Sequence, residues 1–158
     1  MTEIMKIFPL FFKSRIITIL LGLIAMVNLP VFADENYVGM VKTYQPPAAV
    51  IHNSVEAAIN IGTKLYLGDI VVTKADAAVG IIFMDGSVLS LGPETHFEIV
   101  DFLFKPAERN VSFISKVSQG TVAFTSGAIG RISPESVKFI TPTSTLGLHG
   151  TKVLIEVK

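Results

Sequence analysis

Asp85-Gly86 stands between two short apolar runs, and it constrains this chain more than any other stretch. Ile81, Ile82, Phe83 and Met84 precede the pair; Val88, Leu89 and Leu91 follow it, alternating with Ser87 and Ser90. An Asp-Gly pair so placed predicts a tight β-hairpin of type I′, with positive φ at both central residues. Gly92-Pro93 closes the second run, because proline lacks the ladder donor and fixes φ. The stretch from Gly80 to Gly92 therefore sets an all-β expectation and carries no chemistry by itself.

The same grammar repeats downstream of Tyr37. Tyr37 to Thr43 reads as a first strand ending near Gln45-Pro46-Pro47, and Ala48 to His52 and Val55 to Ile61 flank Asn53-Ser54. Gly68-Asp69 turns into the β-branched run Ile70 to Thr73, and Thr95 to Phe104 alternates loosely before the surface loop from Lys105 to Asn110. Val111, Phe113 and Val117 alternate with polar residues up to Gln119-Gly120, and Val122 and Phe124 resume beyond it. That pattern predicts a second hairpin turning at Gly120. Ser126 to Ser133 reads as a glycine-bearing corner, and Val137, Phe139 and Thr141 share one face of a later strand, interrupted by Pro142. No segment here keeps a 3.6-residue apolar period. Period two with evenly spaced turn signals predicts many short strands, in either a curved β-sandwich or a β-helix-like coil. The regularity of the turns favours the coil.

The N-terminus reads as an export leader. Lys6, Lys13 and Arg15 precede an apolar run from Ile16 to Val27, and Val31-Phe32-Ala33 offers small or compact residues at the two positions a signal peptidase reads, before Asp34. This is the order of a secretory signal peptide cleaved between Ala33 and Asp34. The twelve apolar residues would span about 18 Å as a helix, short of a hydrocarbon core of about 30 Å. Residues 1–33 are thus expected as leader and 34–158 as one all-β domain, periplasmic or secreted, with no stable membrane span. The remainder holds 10 basic and 12 acidic side chains, a net charge of −2 that offers no basic field for nucleic acid. With no cysteine, disulfides are absent and packing alone must hold the fold.

Leu67-Gly68-Asp69, Phe83-Met84-Asp85-Gly86-Ser87, Leu91-Gly92-Pro93, Gln119-Gly120-Thr121, Ser126-Gly127 and the run from Thr141-Pro142-Thr143 to Gly147-Leu148-His149-Gly150-Thr151 together resemble the FecR domain, in its order and roughly its spacing. The resemblance covers about Tyr37 to Val157. It implies an all-β domain beyond the inner membrane. In the best-known members that domain serves a transmembrane regulator, which senses a loaded outer-membrane receptor and controls a sigma factor. Those members need a cytoplasmic segment and a spanning helix. Here only fifteen residues precede the apolar run, so a stand-alone exported form is expected. His149 replaces the arginine usual in the family's Gly-x-Arg-Gly-Thr, removing a bidentate guanidinium.

Chemistry-bearing residues are sparse. Asp69, Asp85 and Asp101 sit by turns or strand ends, where aspartate beside glycine ordinarily caps its own backbone. His52, His96 and His149 are far apart, with no second ligand at metal spacing. Ser126-Gly127 and Gly130 could suggest a nucleophile or phosphate loop, but no Gly-x-Ser-x-Gly elbow, helix start or paired histidine is legible there. His149 at an exposed loop tip is the one polar oddity. No cofactor and no metal are expected. The reading is a non-catalytic module that binds another envelope protein or senses a signal, with a structural or glycan-associated envelope role as the alternative and catalysis as the third.

Overall fold

A computed structural model describes residues 37–158, and the expected leader and its expected cleavage between Ala33 and Asp34 lie outside them. Twelve strands run in chain order: β1 (Gly39–Gln45), β2 (Ala48–His52), β3 (Val55–Ala58), β4 (Lys64–Leu65), β5 (Ile70–Thr73), β6 (Ala78–Phe83), β7 (Val88–Leu91), β8 (His96–Lys105), β9 (Asn110–Thr125), β10 (Val137–Ile140), β11 (Thr145–Gly147) and β12 (Lys152–Val157). One short helix, α1 (Ala128–Ile132), and single 3-10 turns at Pro106–Glu108 and Pro134–Ser136 complete the described elements. No described helix is long and apolar enough to cross a membrane.

The architecture reduces to four long bent strands. β1 continues into β2 through Pro46-Pro47, β5 into β6 through Lys74–Ala77, β7 into β8 through Gly92–Thr95, and β9 bends within itself. Their first or second halves make sheet A, in the order β4-β1-β6-β7-β9-β12. Their other halves make sheet B, β3-β2-β5-β8-β9-β10-β11. The result is one curled, open sheet, a half-barrel whose two sides face each other over the core. All described neighbours are antiparallel except β9 with β10. A coil of stacked rungs needs parallel neighbours, so the curved alternative describes this chain and the coil does not.

The crease across the four strands is held by threonine. The Thr73 hydroxyl donates to the Gly92 carbonyl (2.7 Å) and accepts from the Thr95 N–H (2.8 Å). The Thr95 hydroxyl donates to the Gly92 carbonyl (2.9 Å) and accepts from the Thr121 N–H (3.0 Å). Lys74 N–H reaches the Pro47 carbonyl (3.0 Å), so the bond line passes from the first strand to the fourth. A bend exposes backbone groups that flat pairing would satisfy, and buried hydroxyls replace those partners.

Gly120 corrects the second-hairpin expectation. Asn110–Thr125 is one sixteen-residue strand, and Gly120 (φ +92°) is its bend. Before it Val111, Phe113, Ser115 and Val117 point inward; after it Val122 and Phe124 do. The switch from odd to even positions is a bulge, which adds a residue to one strand without reversing it. The reversal lies instead at Lys105–Asn110, between β8 and β9.

The first hairpin joins β6 and β7 as expected, with a different loop. Ile82 pairs with Val88, Phe83 N–H donates to the Ser87 carbonyl (2.9 Å), and Gly86 N–H donates to the Phe83 carbonyl (2.9 Å). Only Gly86 (φ +79°) has positive φ in that loop, so it is a three-residue turn with a glycine bulge. The two-residue type I′ geometry occurs at Asn53-Ser54, both at positive φ, between β2 and β3.

Five phenylalanines fill the centre. The Phe113 ring lies 4.8 Å from Phe83, 5.0 Å from Phe124, and 5.9 Å from both Phe102 and Phe139. Phe113 comes from the strand shared by both sheets, so it touches rings from each.

Candidate functional site

Most of the motif residues are used in packing. Asp85 is buried, and its carboxylate accepts from the Ser87 N–H (3.0 Å), the Ser87 hydroxyl (2.7 Å) and the Ile129 N–H (3.2 Å). Its backbone carbonyl accepts from the Ala128 N–H (2.8 Å), and the Ser87 hydroxyl oxygen accepts from Gly127 N–H (2.9 Å). The Asp85 turn thus caps the start of α1 from another part of the chain. A Cβ on Gly127 would sit 2.3 Å from the Ser87 nitrogen, which is why glycine occupies that position. Helix α1 itself was not legible in the sequence: five residues are too few to show a helical period, and its start is taken by Asp85. Removing the carboxylate in Asp85→Ala strands buried donors, and a loss of about 2–3 kcal/mol is expected in urea denaturation.

Ser126 has a buried hydroxyl with no partner, lying where a Cβ on Gly130 would be. No described histidine bonds to it. Gly92, Pro93 and Gly120 belong to the threonine crease. Thr141 accepts from the Ser144 N–H (3.1 Å) and closes the turn at Pro142. Gly147 ends β11 opposite Lys138, and Leu148 tucks its side chain inward while its N–H donates to Val137 (3.1 Å). His149, Gly150 and Thr151 are exposed, and the Thr151 carbonyl accepts from Ser126 N–H (2.8 Å). Beside this loop the Ser133 hydroxyl and Glu135's own backbone N–H hold the Glu135 carboxyl below its ordinary value, with a smaller pull from His149. His96 opens β8 on the surface, and Asp101 is half-buried on the same strand.

The arrangement that the sequence did not disclose is at the end of sheet B. The β2–β3 turn and the Tyr66–Asp69 turn bring His52 to Asp69, 17 residues away. The imidazole Nδ1–H donates to Asp69 Oδ1 at 2.5 Å, while the Tyr66 N–H donates to Oδ2 (2.8 Å). Asp69 N–H closes its own turn on the Tyr66 carbonyl (3.2 Å), so the turn-capping reading of Asp69 holds alongside the new contact. Asn53 Nδ2 donates to His52 Nε2 (3.0 Å). Both ring nitrogens are then engaged. Tyr66 packs against the ring with centroids 5.4 Å apart.

The pair is asymmetric in burial: the Asp69 side chain is 2% exposed, the His52 side chain 47%. A buried carboxylate thereby fixes the orientation of a half-exposed ring. Around it Val55, directly opposite His52 across the hairpin, is 66% exposed and Leu67 52% exposed. Among the described residues no cluster of three or more metal-ligating side chains forms here or elsewhere. What this corner offers chemically is an oriented polar ring on two turns that also carry two exposed apolar side chains, Val55 and Leu67. No protein-family model, curated protein or solved structure matches the chain.

Proposed function

We propose that this protein is a non-catalytic, FecR-like module of the cell envelope that binds another protein, in a sensing or signalling role. One observation carries the reading: His52 is held in one orientation by buried Asp69, with exposed Val55 opposite it and exposed Leu67 on the turn that carries Asp69. Interface hot spots combine an ordered polar or aromatic anchor with surrounding apolar contacts that exclude water. A side chain already fixed before binding loses little rotamer freedom on docking. The leader-like N-terminus and the six motifs in FecR order support placing that partner in the envelope.

A photo-crosslinking residue at Leu67 in cells tests this reading, with the same residue at exposed Lys42 as control. The expected result is one defined envelope-protein adduct at position 67 only, lost when His52→Ala is added. Equal adducts at both positions, or none at position 67, overturn it. Should the domain sediment with cell-wall sacculi and give no protein adduct, the glycan-associated role replaces it.

A further inference from the structure

We propose that β12 is a self-association edge, pairing antiparallel with β12 of a second copy about a two-fold axis through Leu154. Of the strands that end the two sheets, β3, β4, β11 and β12, the last is the longest, six residues from Lys152 to Val157. Among the described residues it pairs only with β9. An uncovered edge of this length is a template for another strand.

The ladder fixes which groups are free. Ser126 N–H donates to the Thr151 carbonyl (2.8 Å), and the next pair in register is Thr125 with Lys152. Bonded and non-bonded pairs alternate in an antiparallel ladder. Val153, Ile155 and Val157 therefore turn their backbone groups to β9, while Lys152, Leu154 and Glu156 turn theirs to the open edge. The side chains of those same three residues are the exposed ones.

Bonding parity, charge and apolar contact then select one register. With Leu154 on the axis, Leu154 meets Leu154 of the second copy, and Lys152 meets its Glu156 at both ends. Every free N–H and C=O of the three residues is paired. A shift by two residues toward the C-terminus sets Leu154 against Glu156 and Lys152 against Lys158, two like charges. Within a single copy, among the described residues, Glu156 meets Lys158 Nζ, 3.9 Å away on the open surface. Leu154, 71% exposed, has no described apolar cover, and an open cleft of about 380 Å³ runs beside it toward Pro142 and Leu146. Joining two copies would extend sheet A continuously across the axis.

The chain has no cysteine, so single-cysteine variants of the full chain report the register directly. Residues facing each other across a bonded pair have Cα atoms about 5.5 Å apart, within disulfide reach. Under mild oxidation Leu154→Cys is expected to form a dimer with itself. Glu156→Cys is not, because its two copies would lie about 14 Å apart. A mixture of Lys152→Cys and Glu156→Cys chains is expected to cross-link. In sedimentation velocity, Lys152→Glu or Glu156→Lys alone should weaken the dimer roughly tenfold, since two pairs turn repulsive. The two changes combined in one chain should restore it. A monomer at every concentration, equal cross-linking at positions 154 and 156, or charge reversals that do not rescue each other overturn the proposal. The His52 corner lies on the other sheet, so its test fails or succeeds independently.

Discussion

Phe113→Ala is expected to lower the stability of the domain by about 4 kcal/mol, the range for truncating a fully buried phenylalanine. The ring is 1% exposed and sits within 6 Å of four other phenylalanine rings. Those rings come from β6, β8, the far half of β9 and β10, so no single neighbour can move in to fill the space. Equilibrium urea unfolding followed by tyrosine fluorescence measures the loss, and the midpoint should fall with an unchanged slope. Phe102→Ala, at the half-buried margin of the same cluster, should cost clearly less. Equal losses at the two positions would mean that the cluster relaxes freely.

Gly120→Ala is expected to cost about 3 kcal/mol or more, in two separable parts. Positive φ costs a residue bearing a Cβ about 1–2 kcal/mol. The methyl group would also sit 2.4 Å from the Thr95 Cα and 2.8 Å from the Glu94 carbonyl oxygen, backbone atoms that cannot step aside. Overpacking of this kind adds about 1–3 kcal/mol. Gly62 supplies the control, because it has nearly the same dihedral (φ +90°) with nothing within 4 Å of its Cβ position. Gly62→Ala should cost only the dihedral part. If the two variants lose the same stability in urea melts, the crease is not close-packed as described.

The sequence announced the strands well and the bend poorly, for one physical reason. Inward side chains at Val79, Ile81 and Phe83, and at Leu89 and Leu91, follow from period two within a strand. At Gln119-Gly120 the period slips by one residue, and a slip is the same local signal whether the chain reverses or bulges. Only the neighbours decide: β7 and β8 follow each other along β9 and keep it one continuous strand through the bend. The Asp85 turn was likewise legible as a hairpin, but its loop type depends on Ala128 and Ile129, more than forty residues on. His52 and Asp69 fell outside any local pattern, since two separate turns are needed to bring them together. By contrast, the motif positions that suggested the FecR likeness fall on the corners: Gly92, Pro93 and Gly120 in the crease, Asp85 and Gly127 in the cap.

The shared strand has a consequence for assembly. Because all four principal strands traverse both sides of the half-barrel, neither side is a unit that can mature by itself. β1, β6 and β7 await β9, which is followed in the chain by β10 and β12, still needed on its far flank. Contacts so distant in sequence slow folding. A polypeptide emerging N-terminus first would thus stay open along most of its length until its last third arrives, and its native shape would be won in a single late, concerted closure.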